Sequence, residues 1–426
     1  MSSTHFSHTK AVPFFAACFP VICIAYGSGY NYSSIILLLA CIASLCLNRH
    51  KPRLSSEEKL FLYTLCYYFI SFVALKLIHG EKWSFIDKPS RALLTIPIFI
   101  ALLRYPPSWR SLAVGINIAS ICSAVVALYF LQNYPELRAF DGRIPNLWFE
   151  GYMQIQTGGM VTTFAMSSLA IALLEIKKKN YLFSIMSLIA FALASWASLQ
   201  SESRGSWLLV PVATLVIIHY KFNLFRIKVI LLTLFSISLA IATLSTNDTV
   251  TSRVNEAISD YSQYNSSTNA FTSVGIRLNL WKSASITFLE NPLVGAGTDG
   301  RLEKRKSLGD ADIIDKQVSR MTYHEHNQFL EAASVTGIIG LSALIAIFLV
   351  PLFLFFKILN SSSSCENAKN FSLLGIVSVI LMVGYCLTQA FFNHNSGTIF
   401  YLVWTTILLS ASLANSKKGH NNESTK

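Results

Sequence analysis

Long apolar runs recur along the whole chain, and they constrain its fold more than any other feature. Segments at about 11–29, 32–48, 60–78, 92–103, 111–131, 158–175, 181–199, 206–220, 229–245, 328–356, 371–391 and 398–414 hold little charge. A bilayer core about 30 Å thick is crossed by roughly 20 apolar residues in a helix, which satisfies its own backbone where no water is present. The runs therefore predict an all-α polytopic membrane protein of about twelve transmembrane helices, the fourth and eighth short for a full crossing. Charged residues make up 13% of the chain, against about 25% in soluble domains. The apolar run from Ala11 follows a polar start without a small-residue cleavage site, so it is read as the first spanning helix.

Basic residues orient these spans. Arg49, Lys51, Arg53 and Lys59; Arg104 and Arg110; Lys177, Lys178 and Lys179; Lys221, Arg226 and Lys228; Lys357 and Lys369; and Lys417, Lys418 and Lys426 all fall on one side. The positive-inside rule makes that side cytoplasmic, with both termini on it. Lys82, Lys88 and Arg91 lie on the opposite side and run against the pattern. The net charge of +12 is thus mostly a topology signal and gives little support for nucleic-acid binding. The domain reading that follows is a membrane body at 1–245 with about nine spans, an external lid loop at 246–327, three further spans at 328–415 and a cytoplasmic tail at 416–426. Eight cysteines lie in or beside apolar segments and predict no disulfide framework.

Chemistry is expected at the external border. The stretch Tyr323-His324-Glu325-His326-Asn327-Gln328-Phe329-Leu330-Glu331 stands where the lid loop meets a long span. A histidine there can exchange a proton near neutrality. Competing readings are a helix start, with Asn327 as the N-cap and Glu331 facing the helix dipole, a metal site at His-x-His, or solvated border residues. Arg204 sits in a very short external turn, Ser201 to Trp207, where it either snorkels to headgroups or binds an anion. Arg277, at the start of an apolar-patterned helix in the long loop, and Arg143, in Asp141-Gly142-Arg143, are further candidates that also suit a plain surface role. Arginine donates paired hydrogen bonds to phosphate oxygens and keeps its charge, so two forks and a histidine on one face point to a pyrophosphate-linked lipid. Asp310-Ala311-Asp312 has the acid-x-acid form of a metal motif, but it lies in the charged run from Arg301 to Asp315, read as a solvated lid surface. No metal ligand set and no cofactor motif is assigned.

These residues resemble the O-antigen ligases of Gram-negative bacteria, inner-membrane enzymes that join O-antigen to lipid A-core. The family pattern reads here as His326-Asn327, nine residues, Gly337, two residues, Gly340, with the Arg204 turn and the stretches Arg253 to Ala257 and Gly275 to Leu278 agreeing. The resemblance implies a metal-independent, inverting glycosyltransferase of the GT-C type with its site in the periplasm. Its donor is then a glycan on undecaprenyl pyrophosphate and its acceptor a sugar of the lipid A-core. It implies Arg204 and Arg277 on the pyrophosphate and His326 as the essential histidine. Arg143, His324, Asn327 and Glu331 stand as weaker supporting candidates, Glu331 either orienting the imidazole or facing the helix dipole. O-antigen polymerases share the pattern, and a lipid-linked-glycan flippase or transporter would also fit twelve helices with border arginines.

Overall fold

The computed structural model describes residues 8–47, 53–143, 148, 150–222, 252, 255, 259, 260, 262 and 271–423. Its membrane helices are α1 (His8–Ala25), α2 (Gly29–Leu47), α3 (Ser56–His79), α4 (Asp87–Arg104), α5 (Trp109–Asn133), α6 (Gln154–Lys177), α7 (Tyr181–Gln200) and α8 (Val210–Phe222). Three helices of the long loop follow, α9 (Ser273–Glu290), α10 (Gly297–Asp310) and α11 (Lys316–Ser319), and then α12 (Gln328–Asn360), α13 (Glu366–Thr388) and α14 (Asn395–Glu423). Among the described residues nine helices are long and apolar enough to cross a membrane. The chain is a polytopic helical membrane protein.

Eleven of the twelve drawn segments coincide with these helices, and the one at 229–245 lies outside the described residues. The two short segments gain length from their polar ends. The fourth begins at Asp87, ahead of the apolar run, and spans 18 residues. A 3-10 turn at Arg204–Trp207 extends the eighth into a candidate span of 19 residues. At about 1.5 Å per residue, either reaches roughly 27 Å. The chain described as a polar tail continues α14 as helix to Glu423.

Helices α6, α13 and α14 form the interior, and α2, α3 and α7 the rim. The rim faces carry exposed Leu39, Tyr63, Ile70, Leu182 and Ile185, as a surface against lipid tails does. Inside, Trp404 stacks on Phe19 at 6.3 Å and meets Phe164 edge-on at 5.5 Å. Polar side chains tie helices across the apolar core: Trp404 Nε1 donates to Ser378 Oγ at 3.0 Å, and Asn117 Nδ2 to Ser187 Oγ at 2.8 Å. Such bonds each contribute about 0.6 kcal/mol in membranes, so packing carries most of the stability. All eight cysteines are free.

One irregularity positions the site. Helix α12 breaks at Gly337, where φ is 60° and ψ is −159°. That region is open to glycine almost alone, because a Cβ collides with the backbone. The break frees amides that the loop between α9 and α10 then occupies: Ile338 N donates to Pro292 O at 2.8 Å and Ile339 N to Leu293 O at 3.3 Å. Ala296 N returns a bond to Ser334 O at 2.9 Å. The long-loop helices are thereby stitched to a membrane helix, one turn and a half beyond the histidine stretch.

Candidate functional site

Backbone geometry fixes His326 first. Asn327 is the N-cap of α12, extended at φ −154°, with its Oδ1 accepting from Phe329 N at 3.0 Å and Leu330 N at 3.1 Å. The residue ahead of it must turn the chain, and His326 does so at φ 48°, in the left-handed region. A non-glycine residue held there costs on the order of 1–3 kcal/mol, and such strain concentrates at functional sites.

The ring is then oriented by a residue far along the chain. His326 Nδ1 lies 2.7 Å from the amide oxygen of Gln389, at the end of α13. A carbonyl oxygen only accepts, so Nδ1–H is the donor and Nε2 keeps its lone pair. Burial lowers the His326 pKa below 6.5, the Gln389 bond opposes this, the Arg277 charge lowers it further and Glu331 opposes. The imidazole is neutral at neutral pH, the state a proton acceptor needs.

Two more imidazoles flank it. The His324 ring stands 4.6 Å from that of His326 and 5.8 Å from that of His394. Burial, His326, His394 and Arg301 bring the His324 pKa down to about 3. It accepts from His326 N through Nδ1 at 3.3 Å, so it helps hold the turn. His394 is held low by burial, Lys88 and His326, and its Nε2 is buried without a hydrogen-bond partner.

Two arginines complete the site. The turn after α7 is packed tightly, with Gly205 against the Thr388 side chain and Ser203 Oγ donating to Gln154 O at 3.0 Å. The neighbouring acid, Glu202, is engaged by Arg138 at 3.1 Å and not by Arg204. Helix α9, capped by Thr272 through Gly275 N at 3.1 Å, carries Arg277 in its second turn. Desolvation, with the Arg204 charge beside it, lowers the Arg277 pKa although the residue is exposed. Neither guanidinium has a carboxylate partner among the described residues. Two like charges near each other, without a carboxylate partner among the described residues, are suited to an anion.

Other candidates are placed differently. Glu331 does not bond to His326; its Oε2 accepts from Arg301 at 3.0 Å and from Glu325 N at 2.8 Å, and its Oε1 from Asn393 at 3.3 Å. Arg143 is exposed and forked onto the buried Asp141, with Nε 2.9 Å from Oδ1. The charged run of the lid is not wholly a solvated surface. Arg305 is fully buried and Arg301 nearly so, both gripping Glu325, with Arg301 at 2.8 Å. Arg305 also donates to Met321 O at 2.8 Å and Tyr323 O at 2.9 Å, so this cluster fixes the segment leading to His326. Helical spacing, residues 301 and 305 on one face, was the signal for it. Asp310 and Asp312 do lie exposed, Asp312 paired with Lys316 at 2.9 Å. Gln389 and His394 were missed by sequence reasoning, although His394 lies in a connection as short as that of Arg204.

A family model described as O-antigen ligase matches residues 189–345, from α7 through the broken part of α12. An uncharacterized protein of Haemophilus influenzae is 31% identical over 380 residues, covering 88% of this chain and 91% of that protein. The chain belongs to the O-antigen ligase family. An O-antigen ligase of Escherichia coli K12 is 25% identical over 211 residues, 47% of this chain and 46% of that protein. The family segment contains Arg204, Arg277 and His326, whereas Gln389 and His394 lie beyond it.

Proposed function

We propose that this chain is an O-antigen ligase acting at the periplasmic face of the inner membrane, with both termini cytoplasmic. It transfers an O-antigen glycan from undecaprenyl pyrophosphate to a sugar hydroxyl of the lipid A-core, with inversion and without a metal ion. The observation that carries this reading is a neutral imidazole whose Nδ1–H is committed to Gln389, with the Arg277 charge acting on it and Arg204 acting on Arg277, neither arginine having a carboxylate partner among the described residues.

The chemistry follows from these groups. The acceptor oxygen attacks the anomeric carbon and its proton passes to His326 Nε2. The bond from that carbon to the pyrophosphate oxygen breaks, and the negative charge that develops on the pyrophosphate is stabilised by Arg204 and Arg277. A positioned base contributes about 10²–10⁴ in rate, and each fixed donor on the leaving group about 10²–10³. Asn327 serves through the backbone, holding the turn that aims His326, and His324 braces the same turn. The twelve-helix body is of the GT-C type in this reading, with apolar grooves for the lipid tails. Membrane lipids are its surroundings; nucleic acid has no part.

The lipopolysaccharide of a deletion strain tests the assignment. Loss of all attached O-antigen, with lipid-linked polymer accumulating, is the expected result. A core bearing a single repeat unit identifies a polymerase instead, and absence of periplasmic lipid-linked glycan identifies a flippase.

A further inference from the structure

Two of the three basic residues that broke the charge pattern, Lys82 and Lys88, line a cavity. It occupies about 530 Å³ between the connection from α3 to α4, the start of α10 and the first turns of α12. This is within the usual range for ligand sites, about 300–1,000 Å³. Its walls divide sharply. Phe72, Phe85 and Phe392 supply flat apolar faces, while Gln328, Asn393 and the two lysines supply polar groups. Aromatic faces with polar edges are suited to the C–H faces and hydroxyls of a saccharide.

The cavity carries charges of both signs. Three acids line it, and two of them are engaged: Glu81 accepts from Thr298 N, and Glu331 holds Arg301 and Asn393. Asp299 is exposed at the rim. Neither Lys82 nor Lys88 has a carboxylate partner among the described residues, and Lys88 is only half-exposed. Lys82 lies in the connection from α3 to α4 and Lys88 in the first turn of α4, and the start of the connection is fixed, since His79 bonds Val294 O at 2.9 Å and Gly80 caps α3 in the left-handed conformation.

Position gives the cavity its role. The Lys88 charge is felt by His394, whose ring faces His324, which in turn faces His326, and the Arg277 charge is felt by His326. Lys88 is thus on the His394 side of the imidazole cluster and Arg277 on the His326 side. In an inverting displacement the acceptor oxygen enters opposite the leaving pyrophosphate, with the base on the acceptor's side. With the arginines on the leaving group, the acceptor belongs at the Lys88 side.

We propose that this cavity binds the acceptor saccharide, that Lys82 and Lys88 hold its anionic substituents, phosphate or carboxylate, and that the phenylalanine faces carry its sugar rings. The proposal rests on the transferase reading above and assigns where the second substrate sits.

Kinetics with the purified full-length protein in liposomes test it, using lipid A-core as acceptor and saturating lipid-linked O-antigen as donor. Lys82→Gln and Lys88→Gln are each expected to raise the acceptor KM about tenfold, as loss of a charge-assisted hydrogen bond does, with the donor KM unchanged. Ser84→Trp, which fills the cavity mouth without removing charge, is expected to raise it as well. Acceptor stripped of phosphate by hydrofluoric acid, or with its carboxyl groups reduced, identifies the anion: the treatment that abolishes the difference between wild type and the lysine variants removed the bound group. An unchanged acceptor KM in the double lysine variant and in Ser84→Trp overturns the cavity assignment while transfer by the wild type stands. Absence of wild-type transfer overturns the function itself, and the acceptor site with it.

Discussion

Gln389 offers the sharpest handle on the chemistry, because one short bond sets both the orientation and the protonation of His326. Its amide oxygen receives Nδ1–H at 2.7 Å. Gln389→Glu keeps the shape and places a carboxylate at that oxygen. A hydrogen bond to a charged group contributes about 1.5–3 kcal/mol, and 1.36 kcal/mol corresponds to one pH unit, so the imidazolium is stabilised by about 1–2 pH units. The sign is definite. In the wild type burial lowers the His326 pKa, so the base is present above a midpoint below 6.5 and is lost as pH falls through it. In Gln389→Glu that acid limb moves upward, toward neutrality, and activity at pH 6 falls while activity at pH 8 is retained. Gln389→Leu loses a neutral bond of about 1 kcal/mol and its tautomer control, lowering kcat with only a small move of the limb. Initial rates of glycan transfer in liposomes from pH 5 to 9 measure both. An acid limb that stays in place in Gln389→Glu would refute the claim that His326 is the titrating base.

Other consequences follow from named contacts. Arg204→Ala and Arg277→Ala are each expected to lower transfer about 10²–10³-fold with the protein still inserted, and lysine at either position to restore only part, since a point charge lacks the fork; full activity of Arg277→Ala would remove it from the site. Gly337→Ala puts a Cβ 2.5 Å from Gly295 N and from the Leu293 carbonyl in a glycine-only conformation, so membrane abundance and thermal stability should both drop; an unchanged melting profile would refute the stitched-helix reading. Glu325→Ala leaves the buried Arg305 without its counter-charge, a loss of about 3–5 kcal/mol in unfolding experiments, whereas a cost under 1 kcal/mol would show the cluster to be dispensable.

How much of this was legible in the sequence depended on the range of the interaction. Spans were readable because a bilayer leaves a helix no freedom in its apolar length, and the polar ends of α4, α8 and α14 misled, since Asp87, Lys88 and Arg204 extend helices past the apolar run and α14 runs on to Glu423. Asn327 was readable as an N-cap because its bonds are two and three residues away. Arg204 and Arg277 stood out because a charge at a membrane border needs a reason. Gln389 carries no such mark: it matters through a partner 63 residues distant, and a lone glutamine after an apolar run is unremarkable. Likewise the Arg301 to Asp315 run read as surface because local pattern cannot reveal that Glu325 folds back between Arg301 and Arg305.

The central claim is that His326 Nε2 removes the acceptor proton, and the most direct measurement is single-turnover transfer by His326→Ala and His326→Gln with donor binding followed in parallel. Both variants are expected still to bind lipid-linked donor, through Arg204 and Arg277, while transfer falls about 10²–10⁴-fold and the acid limb of the pH profile disappears. Substantial turnover in His326→Gln, with the acid limb still present, would contradict the claim.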